Sequence, residues 1–145
     1  MEPIIALATS PIKSALHLIR ISGNNCLKIV SSVFTTNLTK DKKKSIHFGY
    51  IKNNHHIIDQ VVVLTYPKPH SYTGEDIVEI ISHGNALISN EIIELLISKG
   101  MRMATNGEFT SRAYLNHKLD LVEAEAVNDL INATTSEAKE IITYA

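Results

Sequence analysis

Along the chain, the spacing of apolar positions changes several times, and each change marks an element. Residues 4–8 form a short apolar run, read as a strand and ended by Ser10-Pro11. Residues 15–22 are largely apolar on both parities, which predicts a mostly buried strand. Ser22-Gly23-Asn24 is a stop signal. Leu27, Val30 and Phe34 then fall at helical spacing and predict a helix over residues 25–34. Residues 35–44 are polar and read as a loop. Two strands, 46–51 and 57–66, flank the hairpin signal Lys52-Asn53-Asn54-His55. Pro67 and Pro69 impose an extended loop, and residues 76–82 return to a strand. Ile88, Ile92, Leu95 and Leu96 make one stripe of a helix over residues 85–99, closed by Lys99-Gly100. Residues 101–104 predict a last short strand and residues 109–115 a short helix. A long helix follows from 121 to about 145, with Val122, Ala126, Val127, Leu130 and Ile131 as its apolar face.

The order β-β-α-β-β-β-α-β, followed by helices, predicts an α+β domain over residues 1–117. It is a compact mixed sheet with two helices. Residues 118–145 read as the start of an α-helical domain. The last helix runs to Ile141-Ile142-Thr143-Tyr144-Ala145 without a cap signal.

Composition narrows the classes. The chain has 145 residues, 44% of them hydrophobic and 20% charged, so wholesale disorder is excluded. A net charge of -1 argues against a dedicated nucleic-acid binder. The single cysteine, Cys26, excludes an internal disulfide and a cysteine zinc cluster, and reads as inert helix packing. No apolar run approaches a membrane span, and cytoplasm is the expected compartment. The run Lys40-Asp41-Lys42-Lys43-Lys44 reads as a solvated loop, with a phosphate patch as the weaker alternative. There is no GxxxxGK[ST] loop and no GxSxG elbow.

Three polar segments stand out. Arg20 lies inside an apolar strand, where an unpaired cation is rare. Ser71-Tyr72-Thr73-Gly74-Glu75-Asp76 leads through Glu79 to His83-Gly84. Asn106-Gly107-Glu108-Phe109-Thr110-Ser111-Arg112 leads to Asn116-His117-Lys118-Leu119-Asp120. Glu79 is flanked by two apolar residues on each side, so its carboxylate is at least partly desolvated. It is a solvent-facing position of an edge strand, a structural ion pair with Arg20, or a bidentate acceptor for a heterocycle bearing an amino group beside a ring N–H. His83 reads as a capping residue of a turn. A metal set of Asp76, Glu79 and His83 has no supporting spacing, and His55-His56-Ile57-Ile58-Asp59 resembles a metal tract only superficially.

These residues also carry a family resemblance. Leu18-Ile19-Arg20-Ile21-Ser22-Gly23, the segments from Ser71 to Gly84, and Gly107 through Leu121 resemble the N-terminal region of the bacterial tRNA-modification GTPases of the MnmE (TrmE) family. Glu123-Ala124-Glu125-Ala126 and Asp129 through Thr135 resemble the start of that family's central helical domain. The resemblance implies a folate-binding, aminomethyltransferase-like fold that forms a homodimer. It implies 5-formyl- or 5,10-methylene-tetrahydrofolate as ligand, with contacts at Arg20, Glu79 and Lys118. Complete members are about three times longer, and use GTP, K+ and Mg2+ in a domain lying beyond this stretch. With a flavoprotein partner, MnmG (GidA), they add a carboxymethylaminomethyl group at C5 of the wobble uridine of tRNA. No catalytic residue is assigned here, and whether this chain is itself an enzyme stays open. Alternative readings are a stand-alone aminomethyltransferase-like folate enzyme or a truncated dimerisation module. One departure is evident: Pro11-Ile12-Lys13-Ser14-Ala15 stands where the family usually has Pro-Gly-Arg-Gly-Gly, and losing glycines restricts that loop.

Overall fold

Six strands hydrogen-bond into one mixed sheet of order β3-β4-β5-β2-β1-β6. They are β1 (Ile4–Leu7), β2 (Leu16–Ser22), β3 (Ser45–Asn53), β4 (His56–Tyr66), β5 (Ile77–His83) and β6 (Arg102–Met103). The helices are α1 (Cys26–Ser31), α2 (Ala86–Ser98), α3 (Glu108–Leu115) and α4 (Leu121–Tyr144). The computed structural model describes residues 1–144, with side chains described through residue 132. The capless stretch 141–145 and the Ala133-Thr134-Thr135 part of the family resemblance therefore lie outside the described side chains.

All neighbouring strands are antiparallel except β1 and β6, which run parallel. The α+β order expected from the sequence is the order observed. One face of the sheet, carrying Ile19, Ile21, Val61, Val63, Val78 and Ile80, packs on α1 and α2 through Cys26, Val30, Ile92 and Leu96. Each such aliphatic side chain contributes about 1.5–3 kcal/mol on burial. Asn85 caps α2 by accepting from Leu87 N–H at 2.8 Å, and Gly100 ends it at φ 116°.

The structure corrects four readings. The helix expected over residues 25–34 stops at Ser31, because Phe34 turns away to bridge Ile51. The polar loop after it hides Leu38, which is fully buried. Strand β2 is fully buried at His17, Ile19, Ile21 and Ser22 and half-buried at Leu18 and Arg20, but Leu16 is exposed. In α4 the packed stripe is Ala124, Val127 and Asn128, while Val122, Ala126 and Leu130 are exposed. Helix α3 packs against α4.

Candidate functional site

The register of the β2–β5 ladder places Arg20 directly opposite Glu79. Both strands are internal to the sheet, so Glu79 does not occupy an edge strand. Their side chains rise on the face opposite α1 and α2. Arg20 donates through Nε to Glu79 Oε2 at 2.9 Å, and its Nη2 lies 2.8 Å from the same oxygen as an ion-pair contact. Oε1 accepts from the Tyr66 hydroxyl at 3.0 Å. A carboxylate offers about four acceptor sites. The Arg20 guanidinium covers Oε2 and Tyr66 takes one site at Oε1, so one acceptor site remains at Oε1.

Above this pair lies a cavity of about 550 Å³. Its floor is Arg20, Glu79 and Ile77. Tyr66 and Tyr72 come from the end of β4 and the following loop, Phe109 and Thr110 from α3, and Val127 and Ile131 from α4. The Arg20 guanidinium lies 6.0 Å from the centre of the Phe109 ring, and Tyr72 shares a hydrogen bond with Thr110 at 3.0 Å. Glu79 is only 8% exposed. The Tyr66 phenol is pushed up, first by partial burial and then by the Glu79 carboxylate, so it stays a neutral donor. The result is a mostly apolar slot with an ion-paired carboxylate at its base. Its volume falls within the ordinary range for small-molecule sites.

The motifs around the slot are structural supports. Arg112 is nearly fully buried and reaches Glu75 at 3.1 Å and Glu108 at 3.4 Å, tying α3 to the loop that carries Tyr72. Its Nε has no partner among the described residues. Ser22 Oγ bonds Thr73 and Glu75, each at 2.8 Å. Glu108 also receives Arg102 at 2.6 Å, and that arginine holds its carboxyl at about 2. Lys118 stands apart from the cavity lining. Its ammonium donates to the Pro69 carbonyl at 3.1 Å, and Asn116 donates to Thr73 O at 2.9 Å. Together they brace the loop over residues 67–74.

His83 and Asp59 come together away from this site, with Nδ1 to Oδ1 at 2.8 Å and the His83 N–H to Oδ2 at 2.9 Å. No group of three His, Cys, Asp or Glu is placed to hold a metal among the described residues. Burial pushes the Cys26 thiol up to about 12, which leaves it unreactive. No described helix is long and apolar enough to cross a membrane. The altered segment, residues 11–15, is pinned at the far end of β2. Ser14 N–H donates to Gly84 O, Gly84 N–H to Ala15 O, and buried His17 bonds Ile12 O. None of its residues lines the cavity.

Sequence reasoning identified Arg20 and Glu79 but not the aromatic walls. Tyr72 and Phe109 lay within segments already singled out. Tyr66 carried only a parity signal, lying two residues beyond Leu64 on the same face as Glu79.

Comparison with known proteins bears on this arrangement. The family model described as "GTP-binding protein TrmE N-terminus" matches residues 3–118. The tRNA modification GTPase MnmE of Mycoplasmopsis pulmonis is 44% identical over 97% of this chain and 31% of its own length. The same-named proteins of Flavobacterium johnsoniae and Thermotoga maritima are 46% and 44% identical over the same shares. The chain thus spans 31% of the length of these relatives. On the family match over most of its length, the chain belongs to the TrmE N-terminus family.

Proposed function

We propose that the Arg20–Glu79 cavity binds a reduced folate, 5-formyl- or 5,10-methylene-tetrahydrofolate. The observation that carries this reading is the nearly buried Glu79 carboxylate at the base of a slot walled by aromatic rings. A pterin is flat and presents an amino group beside a ring N–H, which suits an acceptor-only carboxylate. The free site at Oε1 takes one of these hydrogens, and the second requires Arg20 or Tyr66 to release a bond. Arg20, partly exposed, supplies positive charge for the ring carbonyl or a carboxylate of the ligand. Lys118, which spends one donor on Pro69, is the third contact the resemblance implies. The folate supplies the one-carbon unit, and the protein residues bind and orient it.

The same reading makes residues 1–117 a folate-binding and dimerisation domain and residues 118–145 the start of a helical domain. The wider protein would be a cytoplasmic tRNA-modification GTPase whose GTP, K+ and Mg2+ belong to sequence outside this stretch. With the flavoprotein MnmG it would add the carboxymethylaminomethyl group at C5 of the wobble uridine. Support for a homodimer is the open sheet face. The register aligns Phe48, Val62, Ile81 and Leu18 in one apolar row across four strands, next to the row holding Glu79 and Arg20. Exposed apolar patches of this kind mark interaction surfaces.

Calorimetry with 5-formyltetrahydrofolate tests the site. Binding to the wild-type chain and loss of binding in Glu79→Ala are expected. Equal affinity of the two proteins would overturn the assignment.

A further inference from the structure

The lysine run before β3 is built as a display. Leu38 anchors the segment in the core. Asp41, the one acid in the run, turns inward and accepts from His47 Nε2 at 2.8 Å and Thr65 Oγ1 at 2.6 Å. Lys40, Lys42, Lys43 and Lys44 remain exposed. Among the described residues none of the four is paired with a carboxylate. The display is also joined to the cavity. Lys44 Nζ lies 5.3 Å over the ring of Tyr66, whose hydroxyl donates to Glu79 on the cavity floor. One side chain, Tyr66, is therefore both a wall of the slot and the platform for the first cation outside it.

We propose that residues 40–44 bind a multiply anionic tail of the ligand whose head occupies the Arg20–Glu79 cavity. This rests on the folate reading and makes it more specific: the preferred ligand is a folate bearing a chain of several glutamates. Each further glutamate adds a carboxylate beyond the slot, where Lys44, Lys43, Lys42 and Lys40 follow in the chain. A nucleic-acid phosphate backbone would attract the same lysines, but nothing would then require them to share a residue with the slot. The fixed Asp41 anchors lower the ordering cost of the loop on binding. Exposed ion pairs are individually weak and are screened by salt, so three of them raise affinity by about tenfold at low ionic strength.

The test compares wild type with the triple variant Lys40→Gln, Lys42→Gln, Lys43→Gln, which keeps Lys44 on Tyr66. Calorimetry is run with the monoglutamate and the pentaglutamate of 5-formyltetrahydrofolate, at low and at high salt. The wild type is expected to prefer the pentaglutamate by about tenfold at low salt. The triple variant is expected to lose that preference and to bind the monoglutamate as wild type does. Monoglutamate binding with no tail preference in wild type overturns this proposal and leaves the folate site standing. A preference that survives in the triple variant overturns it too. So does an unchanged preference accompanied by weakened tRNA binding, which would give the loop to nucleic acid. Failure of either folate to bind wild type overturns the folate reading itself.

Discussion

Arg20 and Glu79 face each other across the β2–β5 ladder, and both guanidinium contacts fall on a single carboxylate oxygen. That asymmetry leaves the other oxygen to Tyr66 and to whatever enters the cavity. Arg20→Ala strands a carboxylate that is only 8% exposed. It is expected to cost about 1–2 kcal/mol in urea unfolding, less than a fully buried pair because the arginine is partly exposed. Glu79→Gln keeps the shape and is expected to cost less, while weakening folate binding more than tenfold. A Gln variant that binds as tightly as wild type would show that the charge is not used.

The Arg102–Glu108 pair sets an acid limb. Glu108 is held at about 2 in the folded chain, chiefly by Arg102, against 4.5 for the free group. Its stabilising contribution is therefore complete above about pH 4.5 and is lost as pH falls toward 2. Solvent around the exposed arginine keeps the contribution small. Thermal midpoints of wild type and Glu108→Gln should differ at pH 7 and converge near pH 2. A constant gap across that window would contradict the pairing.

Gly84 packs where a side chain cannot. A Cβ there would lie 2.0 Å from the Ser14 carbonyl oxygen and 2.8 Å from Ser14 Oγ. Gly84→Ala must push residues 11–15 away from the start of α2, at an expected cost of about 2–3 kcal/mol. The measurement is the denaturation midpoint, and an unchanged midpoint would mean that the segment yields freely.

Phe48 is 72% exposed on the open sheet face. Phe48→Glu is therefore expected to leave the fold intact, with an unchanged far-ultraviolet spectrum. A charge placed within that apolar row should abolish self-association. Sedimentation equilibrium should give a dimer for wild type and a monomer for the variant. A variant that still dimerises would move the contact to another surface.

The element order was legible because period and punctuation agreed along most of the chain. Asn85 and Gly100 bracket α2 as expected, and Asn54, at φ 56°, turns the β3–β4 hairpin. Arg20 and Glu79 were legible because charged groups inside apolar strands need partners. What remained hidden depends on register. Nothing local places Tyr66 beside Glu79, or shows that Leu38 dives from a polar loop into the core. Lys118 illustrates a different limit. Its motif is distinctive, but only the fold shows that its ammonium is held by Pro69, outside the cavity wall.

The parallel pairing of β1 with β6 has a consequence for how the molecule assembles. Strand β1 and its outer neighbour, Arg102–Met103, lie about a hundred residues apart in the chain, as do Glu2 and the Arg102 that contacts it. Closing so long a loop carries a large entropic cost before any contact rewards it. The β3–β4 hairpin and the β4–β5 ladder can form first, and the sheet is sealed last along its β1 edge. Amides of residues 102 and 104, which donate to Pro3 and Ile5, should then be the slowest to gain protection during refolding.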